Sequence, residues 1–293
     1  MRTLAKLFVL GAALCGLRGQ ARAAEPSGER FPDPEVPLGI LPTPDDALID
    51  PKMARSWGAL TARYFVASTV DLGFVYFRPR VSLGYGRPFT QWVGIDLNPV
   101  AKTSGLGAYG GLRVEIPHLD LRVGSRVFRS FERTYLPPQE SFQRIELERD
   151  VADPALFWTH EAELDLTYDI GPGRALLRGS ASYITGVPDG QYVYEETLYI
   201  IAAPPLVWRT RGAYSFSFGL RDQHSIGWAV DVLNVPKRDD AWSVRMGPIL
   251  RMALSRRVDV RGSFIFMVRS PDRIGLRGGD FTELGLRYRW ASE

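Results

Sequence analysis

The chain has 293 residues, of which 36 are Lys or Arg, 33 are Asp or Glu, and 45% are hydrophobic. Its single cysteine excludes a disulfide framework and any zinc or iron–sulfur site built from cysteines. The mean hydropathy is −0.11, and no stretch reaches the roughly 18–20 consecutive apolar residues of a membrane-spanning helix. A helical membrane protein is therefore excluded, and composition by itself names no function.

The first 23 residues predict a cleaved secretory signal peptide. Arg2 and Lys6 precede an apolar run that ends at Leu17, and residues 21–23 supply the small-x-small pattern of a cleavage site. Cleavage after Ala23 removes four basic residues and no acid, so 32 basic residues remain against 33 acidic ones and the net charge falls from +3 to −1. The apparent basicity is then a targeting feature and gives no support to nucleic-acid binding.

Residues 24–55 contain seven prolines, which remove backbone donors and block both helices and strand ladders. This composition predicts an extended periplasmic arm. Over residues 56–293 the hydrophobic residues recur with a period of two, which is typical of strands. The sequence thus divides into a signal peptide, a proline-rich arm and one β domain.

Turn signals such as Gly171-Pro172 and Pro204-Pro205 cut the β domain into segments. If two weaker segments, Gly58–Val66 and Phe142–Glu148, are also strands, the count rises from twelve to fourteen. In the first strand the apolar residues change phase near Pro79, which predicts a bulge. The twelve predicted strands are Asp71–Arg87, Phe89–Ala101, Gly105–Ile116, Leu119–Phe131, Phe157–Ile170, Gly173–Thr185, Gln191–Ala203, Leu206–Gly219, Asp222–Val235, Trp242–Ser255, Val258–Arg269 and Asp280–Trp290.

One face of these strands carries large apolar and aromatic side chains, while the other carries full charges. The segments also exceed the usual 5–6 residues of soluble strands, and a strand that crosses a membrane needs about 9–11 residues within the hydrocarbon. Since every backbone group in lipid must be paired, a spanning sheet closes on itself. The pattern predicts an all-β, transmembrane, antiparallel up-and-down barrel of about twelve strands, with lipid outside and charge inside.

At this point the segment from Trp57 to Trp290 resembles Gram-negative outer-membrane β-barrel proteins of the porin-like class. Such proteins usually end on an aromatic residue, whereas here residues 291–293 follow it. The resemblance implies an outer-membrane location and contact with outer-membrane lipids and with the outer-membrane assembly machinery. It implies no cofactor, and the oligomeric state stays open. The residues that resemble the C-terminal assembly signal are Leu284, Leu286, Tyr288 and Trp290.

Two enzyme-like motifs have structural explanations. Gly105–Gly110 fits a dinucleotide fingerprint, but the next residues alternate like a strand where that fingerprint needs a helix.

Outer-membrane phospholipases and lipid A deacylases use a Ser–His pair on one lipid-facing strand face. His224 and Ser225 are consecutive, so they point to opposite faces, whereas His160 is expected beside Tyr183 on the outer face. The sequence therefore predicts no catalytic residue.

Four carboxylates share one face of a single predicted strand, which fits either a calcium site, an acid–base pair or a ladder of charge pairs. A two-residue turn at 171–172 fixes the register with the next strand. It places Asp169 opposite Arg174, and Asp165 then faces Arg178. Cross-strand ion pairs stabilise a sheet, so the register favours the ladder over a metal site. The four carboxylates are Glu161, Glu163, Asp165 and Asp169.

A barrel of twelve or fourteen strands lies between eight-stranded barrels, which side chains fill, and open porins of 16–18 strands. We therefore predict a small passive channel for hydrophilic or charged solutes and not an enzyme. The alternatives are a plugged structural or interaction barrel without transport, and a lipid esterase or deacylase on the same scaffold. The charges predicted to line the lumen are Arg113, Glu115, Asp120, Arg122, Arg126, Glu161, Glu163, Asp165, Asp169, Arg174, Arg178, Arg209, Arg211, Asp231, Arg245, Arg251, Asp259, Arg261, Glu283, Arg287 and Arg289.

Overall fold

The computed structural model describes residues 62–292 apart from 74–75, 103, 132, 148–153, 220–223, 239–240, 256 and 275–280. The side chains of Tyr76 and of residues 281–283 also lie outside the described part. The predicted signal peptide, residues 1–23, and the predicted arm, residues 24–55, fall outside the described residues too.

Alternation of apolar and polar residues produces strands along nearly the whole described chain. One short helix, α1 (Arg144–Leu147), lies in a long connection. The strands are β1 (Arg63–Gly73), β2 (Tyr76–Arg87), β3 (Gln91–Lys102), β4 (Gly105–Ile116), β5 (Leu119–Ser130), β6 (Leu156–Ile170), β7 (Gly173–Thr185), β8 (Val193–Glu195), β9 (Ile200–Ala202), β10 (Leu206–Phe218), β11 (His224–Val235), β12 (Ala241–Ala253), β13 (Val258–Arg269) and β14 (Phe281–Ala291).

Twelve of these strands close into one antiparallel barrel, in the order β1-β14-β13-β12-β11-β10-β7-β6-β5-β4-β3-β2. The closure joins β1 to β14, where Val70 lies opposite Tyr288 and Asp71 lies opposite Arg287. Because the ring has no free edge, every strand has a neighbour on both sides, which is the condition for a sheet in lipid. The predicted twelve-stranded antiparallel barrel is confirmed.

The seam between the first and last strands continues past the terminal aromatic residue, Trp290. Ala291 pairs with Ala67 in the ladder, and the Ser292 amide donates to the Val66 carbonyl at 2.8 Å. Residues 291 and 292 therefore extend the closing ladder of the barrel.

The two ends of the barrel differ in their connections. At the end where β1 begins and β14 ends, here called the terminal end, the connections are residues 88–90, 117–118, 171–172, 219–223 and 254–257. At the opposite end, the loop end, residues 131–155 and 186–205 form two long connections. Short turns are typical of the periplasmic side of outer-membrane barrels and long loops of the outside.

The outer face of the barrel is apolar. Exposed leucine, valine and isoleucine side chains cover its middle, and aromatic side chains lie toward both ends, as at Trp158 near the loop end and Tyr64 near the terminal end. A soluble protein does not leave so large an apolar surface in water, whereas lipid covers it without cost. Among the described residues, none of the helical segments has the length and hydropathy of a membrane span.

Two predicted strands are wrong, and the errors cancel in the count. Asp71–Arg87 is not one strand with a bulge: β1 ends at Gly73 and β2 begins at Tyr76, and the two pair with each other, so the change of phase belongs to two strands. Gln191–Ala203 is not a barrel strand, because it folds back on itself as the separate hairpin β8–β9. The optional segment Phe142–Glu148 contains α1 instead of a strand, while residues 63–66 of the optional Gly58–Val66 belong to β1.

The glycine-rich segment Gly105–Gly110 lies within β4, as the strand interpretation predicts. A Cβ atom at Gly105 would come within 2.5 Å of the Phe128 ring, and one at Gly107 would come within 2.7 Å of the Val127 carbonyl oxygen. The glycines therefore make room for the neighbouring strand β5.

Candidate functional site

Charged side chains on the inner face of the barrel contact one another across neighbouring strands. On β3, β4 and β5, Arg113 lies among three carboxylates: it contacts Asp96 at 3.3 Å, Glu115 at 2.9 Å and Asp120 at 2.9 Å. The Trp92 indole donates to Glu115 at 2.9 Å. These contacts span three adjacent strands, so they form a network and not a single pair.

The predicted charge pairs between β6 and β7 are confirmed. Asp165 lies opposite Arg178, with Nη2 and Oδ2 2.5 Å apart, and Asp169 lies opposite Arg174, with Nε and Oδ1 2.8 Å apart. On the outer face of the same pair of strands, His160 lies opposite Tyr183, as expected. The two-residue turn thus sets the register of both faces.

Neighbouring carboxylates join the same ladder. Glu163 contacts both Arg122 and Arg178, and Glu161 contacts Arg126 at 3.2 Å. Among the described residues, no group of three or more acidic, histidine or cysteine side chains is arranged to hold a metal ion. The four carboxylates of β6 that the sequence analysis singled out each contact at least one arginine.

A second kind of arrangement lies on β10, β11 and β12, where one aspartate faces three arginines. Asp231 is fully buried and contacts Arg209 at 2.8 Å, Arg211 at 2.5 Å and Arg245 at 3.6 Å. We call these four residues the Asp231 cluster. One carboxylate of β11 thus contacts guanidinium groups from both neighbouring strands.

The same arrangement recurs nearer the terminal end, on β12, β13 and β14. Asp259 is fully buried and contacts Arg251 at 3.3 Å, Arg261 at 2.9 Å and Arg289 at 3.1 Å. We call these four residues the Asp259 cluster.

The next pair around the ring, Arg287 with Asp71, joins β14 to β1, with Nη2 and Oδ2 2.7 Å apart. Glu283 also lies on β14, but its side chain is outside the described part.

The hairpin β8–β9 crosses the inside of the barrel at the loop end. Its turn is held from three strands: Arg126 of β5 donates to Glu195 at 2.9 Å, Lys102 of β3 donates to the Glu196 carbonyl at 2.5 Å, and Arg245 of β12 donates to the Leu198 carbonyl at 2.8 Å. Since β3 and β5 lie across the ring from β12, the turn spans the lumen.

Glu195 organises this turn. Its side chain is only 1% exposed, and its Oε2 atom accepts the amides of Thr197 at 2.8 Å and Leu198 at 2.6 Å. The other oxygen, Oε1, accepts Arg126 of the barrel wall. One carboxylate thus caps the hairpin turn and fixes it to the wall.

The hairpin is packed on both sides. One side, with Val193, Leu198 and Ile200, packs on barrel side chains, and the other, with Tyr194 and Ile201, packs on the long loops. The barrel side chains in contact are Phe128, Phe157, Ile184, Val207, Leu233 and Val235. The loop side chains in contact are Leu136, Phe142, Leu147 and Ile274. We call the hairpin and this loop layer the plug.

A buried ion pair fastens the loop layer. Arg238 donates to Asp272 at 2.6 Å through Nη1, and it also reaches the carbonyls of Ile201 at 3.4 Å and Glu140 at 3.1 Å. Asp272 in turn accepts the Phe142 amide at 3.0 Å. Both charged side chains come from loops, so strand periodicity gave no signal for them.

The Glu196 carboxyl, in the hairpin turn, contacts Arg133 of the long loop. Burial raises the pKa of this carboxyl above its usual range, while the nearby charges of Arg133 and Lys102 act in the opposite direction. Burial also raises the pKa of the Tyr194 hydroxyl. Both groups are buried within the plug.

A Ser–His pair that the sequence analysis did not find lies on the outer face. The Ser125 hydroxyl and the Nδ1 atom of His160 are 2.8 Å apart on the adjacent strands β5 and β6. Within the described residues, this is the only hydrogen bond that the His160 ring makes. A serine hydrolase also needs a group that orients the base. His224 and Ser225 point to opposite faces, as predicted, since they lie opposite Phe218 and Ser217.

The last strand carries its alternate apolar side chains on the exposed outer face, and their role as an assembly signal stays a prediction. These residues are Leu284, Leu286, Tyr288 and Trp290.

No family model and no curated protein matches the chain. Similar solved structures include the NanC porin, with 10% identity and a TM-score of 0.37 over 78% of this chain and 98% of that one. They also include a loop-deletion form of OmpT, an outer membrane protein of Vibrio cholerae, with 8% identity and a TM-score of 0.34 over 78% and 99%. The closed twelve-stranded barrel and its apolar exterior are themselves the architecture of an outer-membrane β-barrel.

Proposed function

We propose that the protein is a passive outer-membrane channel for small hydrophilic or charged solutes, and that the charges of its inner face line the lumen. The observation that carries this proposal is the exposure of those charges inside a closed ring. Arg178, Arg261 and Arg287 remain partly exposed, although the barrel wall surrounds them. Water that reaches these groups provides a polar path through the bilayer.

In this proposal, the position of the plug determines whether the channel is open or closed. Its hairpin spans the lumen at the loop end, and charges near it, such as Arg126 and Arg245, are almost completely buried. The hairpin is not part of the barrel ladder, so it can leave the lumen without breaking a strand pair of the wall. The channel conducts when the hairpin is displaced.

The second candidate is a plugged structural or interaction barrel without transport. The packing of the hairpin between two apolar layers favours it. Buried ion pairs are costly to break, by about 3–5 kcal/mol when one partner is lost. In this second candidate function, the hairpin stays in the lumen permanently.

Planar-bilayer recording of the refolded full-length chain distinguishes the two candidates. The comparison is between the wild type and a variant in which residues 192–203 are replaced by a short Gly-Ser linker. We expect brief, small openings in the wild type and a lasting conductance several times larger in the variant. The control is Lys237→Gln, an exposed loop position, which should behave as the wild type. Heat-modifiable migration in electrophoresis verifies that each barrel has folded, and silence of both folded forms would overturn the channel proposal.

A further inference from the structure

The connection between β7 and β10 carries only negative charges. Residues 186–205 contain Asp189, Glu195 and Glu196, and they contain no lysine, arginine or histidine. Asp189 is exposed, whereas Glu195 and Glu196 are buried in the hairpin turn inside the barrel. The hairpin is therefore a negatively charged element that is not part of the barrel ladder.

The wall contacts of the turn indicate how deep it lies in the lumen. Arg126 lies four residues before Ser130, where β5 ends, and Arg245 lies four residues after Ala241, where β12 begins. Both of these strand ends are at the loop end. Since a strand rises about 3.3 Å per residue, four residues correspond to about 13 Å of strand. These strands have 12 and 13 residues, so the turn lies about a third of the way along the wall.

A potential across the membrane falls mainly where the path for ions is blocked. The hairpin spans the lumen, and the side chains of Glu195 and Arg126 at its turn are almost completely buried. Farther from the plug, Arg178 and Arg261 remain partly exposed to water. Ions in that hydrated part of the lumen bring the potential up to the hairpin, so the field acts on the charges of its turn.

We propose that the membrane potential opens and closes this channel by acting on the negatively charged hairpin. This inference rests on the proposed channel function. The hairpin is joined to β7 and β10 at the loop end, so its turn leaves the lumen in that direction and carries the charges of Glu195 and Glu196 outward. A potential that is positive on the loop-end side stabilises the displaced hairpin, and the opposite polarity holds the hairpin in the lumen.

The positive charges that contact the turn stay with the wall when the hairpin moves. Lys102 and Arg126 belong to β3 and β5, and the Arg133 amide donates to the Ser130 hydroxyl at the end of β5 at 3.0 Å. The displacement therefore moves two negative charges and not neutral ion pairs. Two charges that cross about a third of the field change the ratio of open to closed channels about tenfold per 100 mV, and one charge changes it about threefold.

Single-channel recording at both polarities tests the proposal in the refolded full-length chain. Lys237→Cys with Cys15→Ser, labelled with biotin, lets streptavidin in one compartment identify channels whose loop end faces it. At about pH 7.5, the ratio of open to closed channels should rise about tenfold per 100 mV as the loop-end side becomes positive. Glu196→Gln should reduce this slope to about threefold. Asp189→Asn, at an exposed position of the same connection, is the matched control and should leave the slope unchanged.

The slope with voltage separates the charge of the hairpin from the strength of its docking. A hairpin that is only more weakly docked opens more often at both polarities, with the same slope. A wild type that opens equally at both polarities, or more often when the loop-end side is negative, would overturn the voltage response and leave the channel function in place. The hairpin-replacement variant should conduct without a slope, and a slope that survives in it also overturns the inference. Silence of both folded forms overturns the channel and this inference together.

Discussion

Glu195 at the loop end and Asp169 near the terminal end are both carboxylates inside the barrel, and each contacts an arginine of the wall. Their surroundings differ: the Glu195 side chain is 1% exposed and that of Asp169 is 44% exposed. A buried charge that loses its partner has no water to replace it, whereas an exposed one is solvated at once. Loss of one partner of such an ion pair is therefore strongly destabilising at the loop end, whereas it costs little near the terminal end.

The largest effect is expected for Glu195→Ala. This substitution removes one of the two carboxylates that contact the buried Arg126, Glu161 being the other, and it removes the acceptor of two hairpin amides; we expect a cost of about 3 kcal/mol, the lower end for broken buried pairs. We expect chymotrypsin to cleave the tyrosines of the hairpin about a hundredfold faster or more, on the basis of that cost. Asp169→Ala is the matched control and should change cleavage little. Equal rates in the two variants would contradict the comparison.

The Arg238–Asp272 pair of the loop layer should show a recoverable effect that is no larger. Asp272→Leu alone leaves the Arg238 charge buried, at a cost of about 3 kcal/mol. Adding Arg238→Met removes that charge, and we expect it to restore at least half of the lost stability, since apolar replacement of a buried pair is often neutral. Chymotrypsin cleavage of the hairpin measures both variants. If the double variant is less stable than the single one, Arg238 stabilises the plug through its bonds to the Ile201 and Glu140 carbonyls even without Asp272.

The contrast between the two regions also explains what the sequence could predict. Near the terminal end, period-two alternation and the turn at 171–172 determine the faces and the register, so the pairs Asp165–Arg178 and Asp169–Arg174 follow from local spacing. The plug depends on contacts between distant loops, such as that of residue 238 with residue 272. Such contacts leave no periodic signal.

Three places in the chain show where prediction from the local sequence was wrong or incomplete. The alternation of Gln191–Ala203 imitates a strand, but Glu195 and Glu196 are consecutive, and in a membrane strand one of them would face lipid. That conflict was the available signal for a turn. The sequence between β1 and β2 has no proline or asparagine to mark a chain reversal, and the Ser125–His160 pair depends on a register set across the long connection 131–155.

A dependence of channel opening on pH is expected from Glu196. This effect should be smaller than the losses of stability in Glu195→Ala and Asp272→Leu, because only the protonation of one carboxyl changes. Burial raises the pKa of this carboxyl in the docked hairpin, so the docked state binds the proton more tightly than the released one. Docking is then stabilised below the usual pKa of a glutamate, and this contribution is lost as the pH rises through the raised pKa. The open fraction in bilayers should therefore be lower at about pH 4.5 than at about pH 7.5, and Glu196→Gln should flatten that dependence. A wild type with no change over this range would contradict the assignment.

The smallest effect is expected on the outer face, where Ser125 and His160 form a hydrogen bond. Ser125→Ala should cost about 1 kcal/mol, the usual net value of a hydrogen bond, and thus less than loss of the buried charge at Glu195. Urea unfolding of the refolded barrel measures this difference. The same variant tests for ester hydrolysis: the wild type should release no fatty acid from phospholipid micelles, because an orienting group for the base is missing from the described surroundings of His160. Release that Ser125→Ala abolishes would instead make this pair a nucleophile and its base.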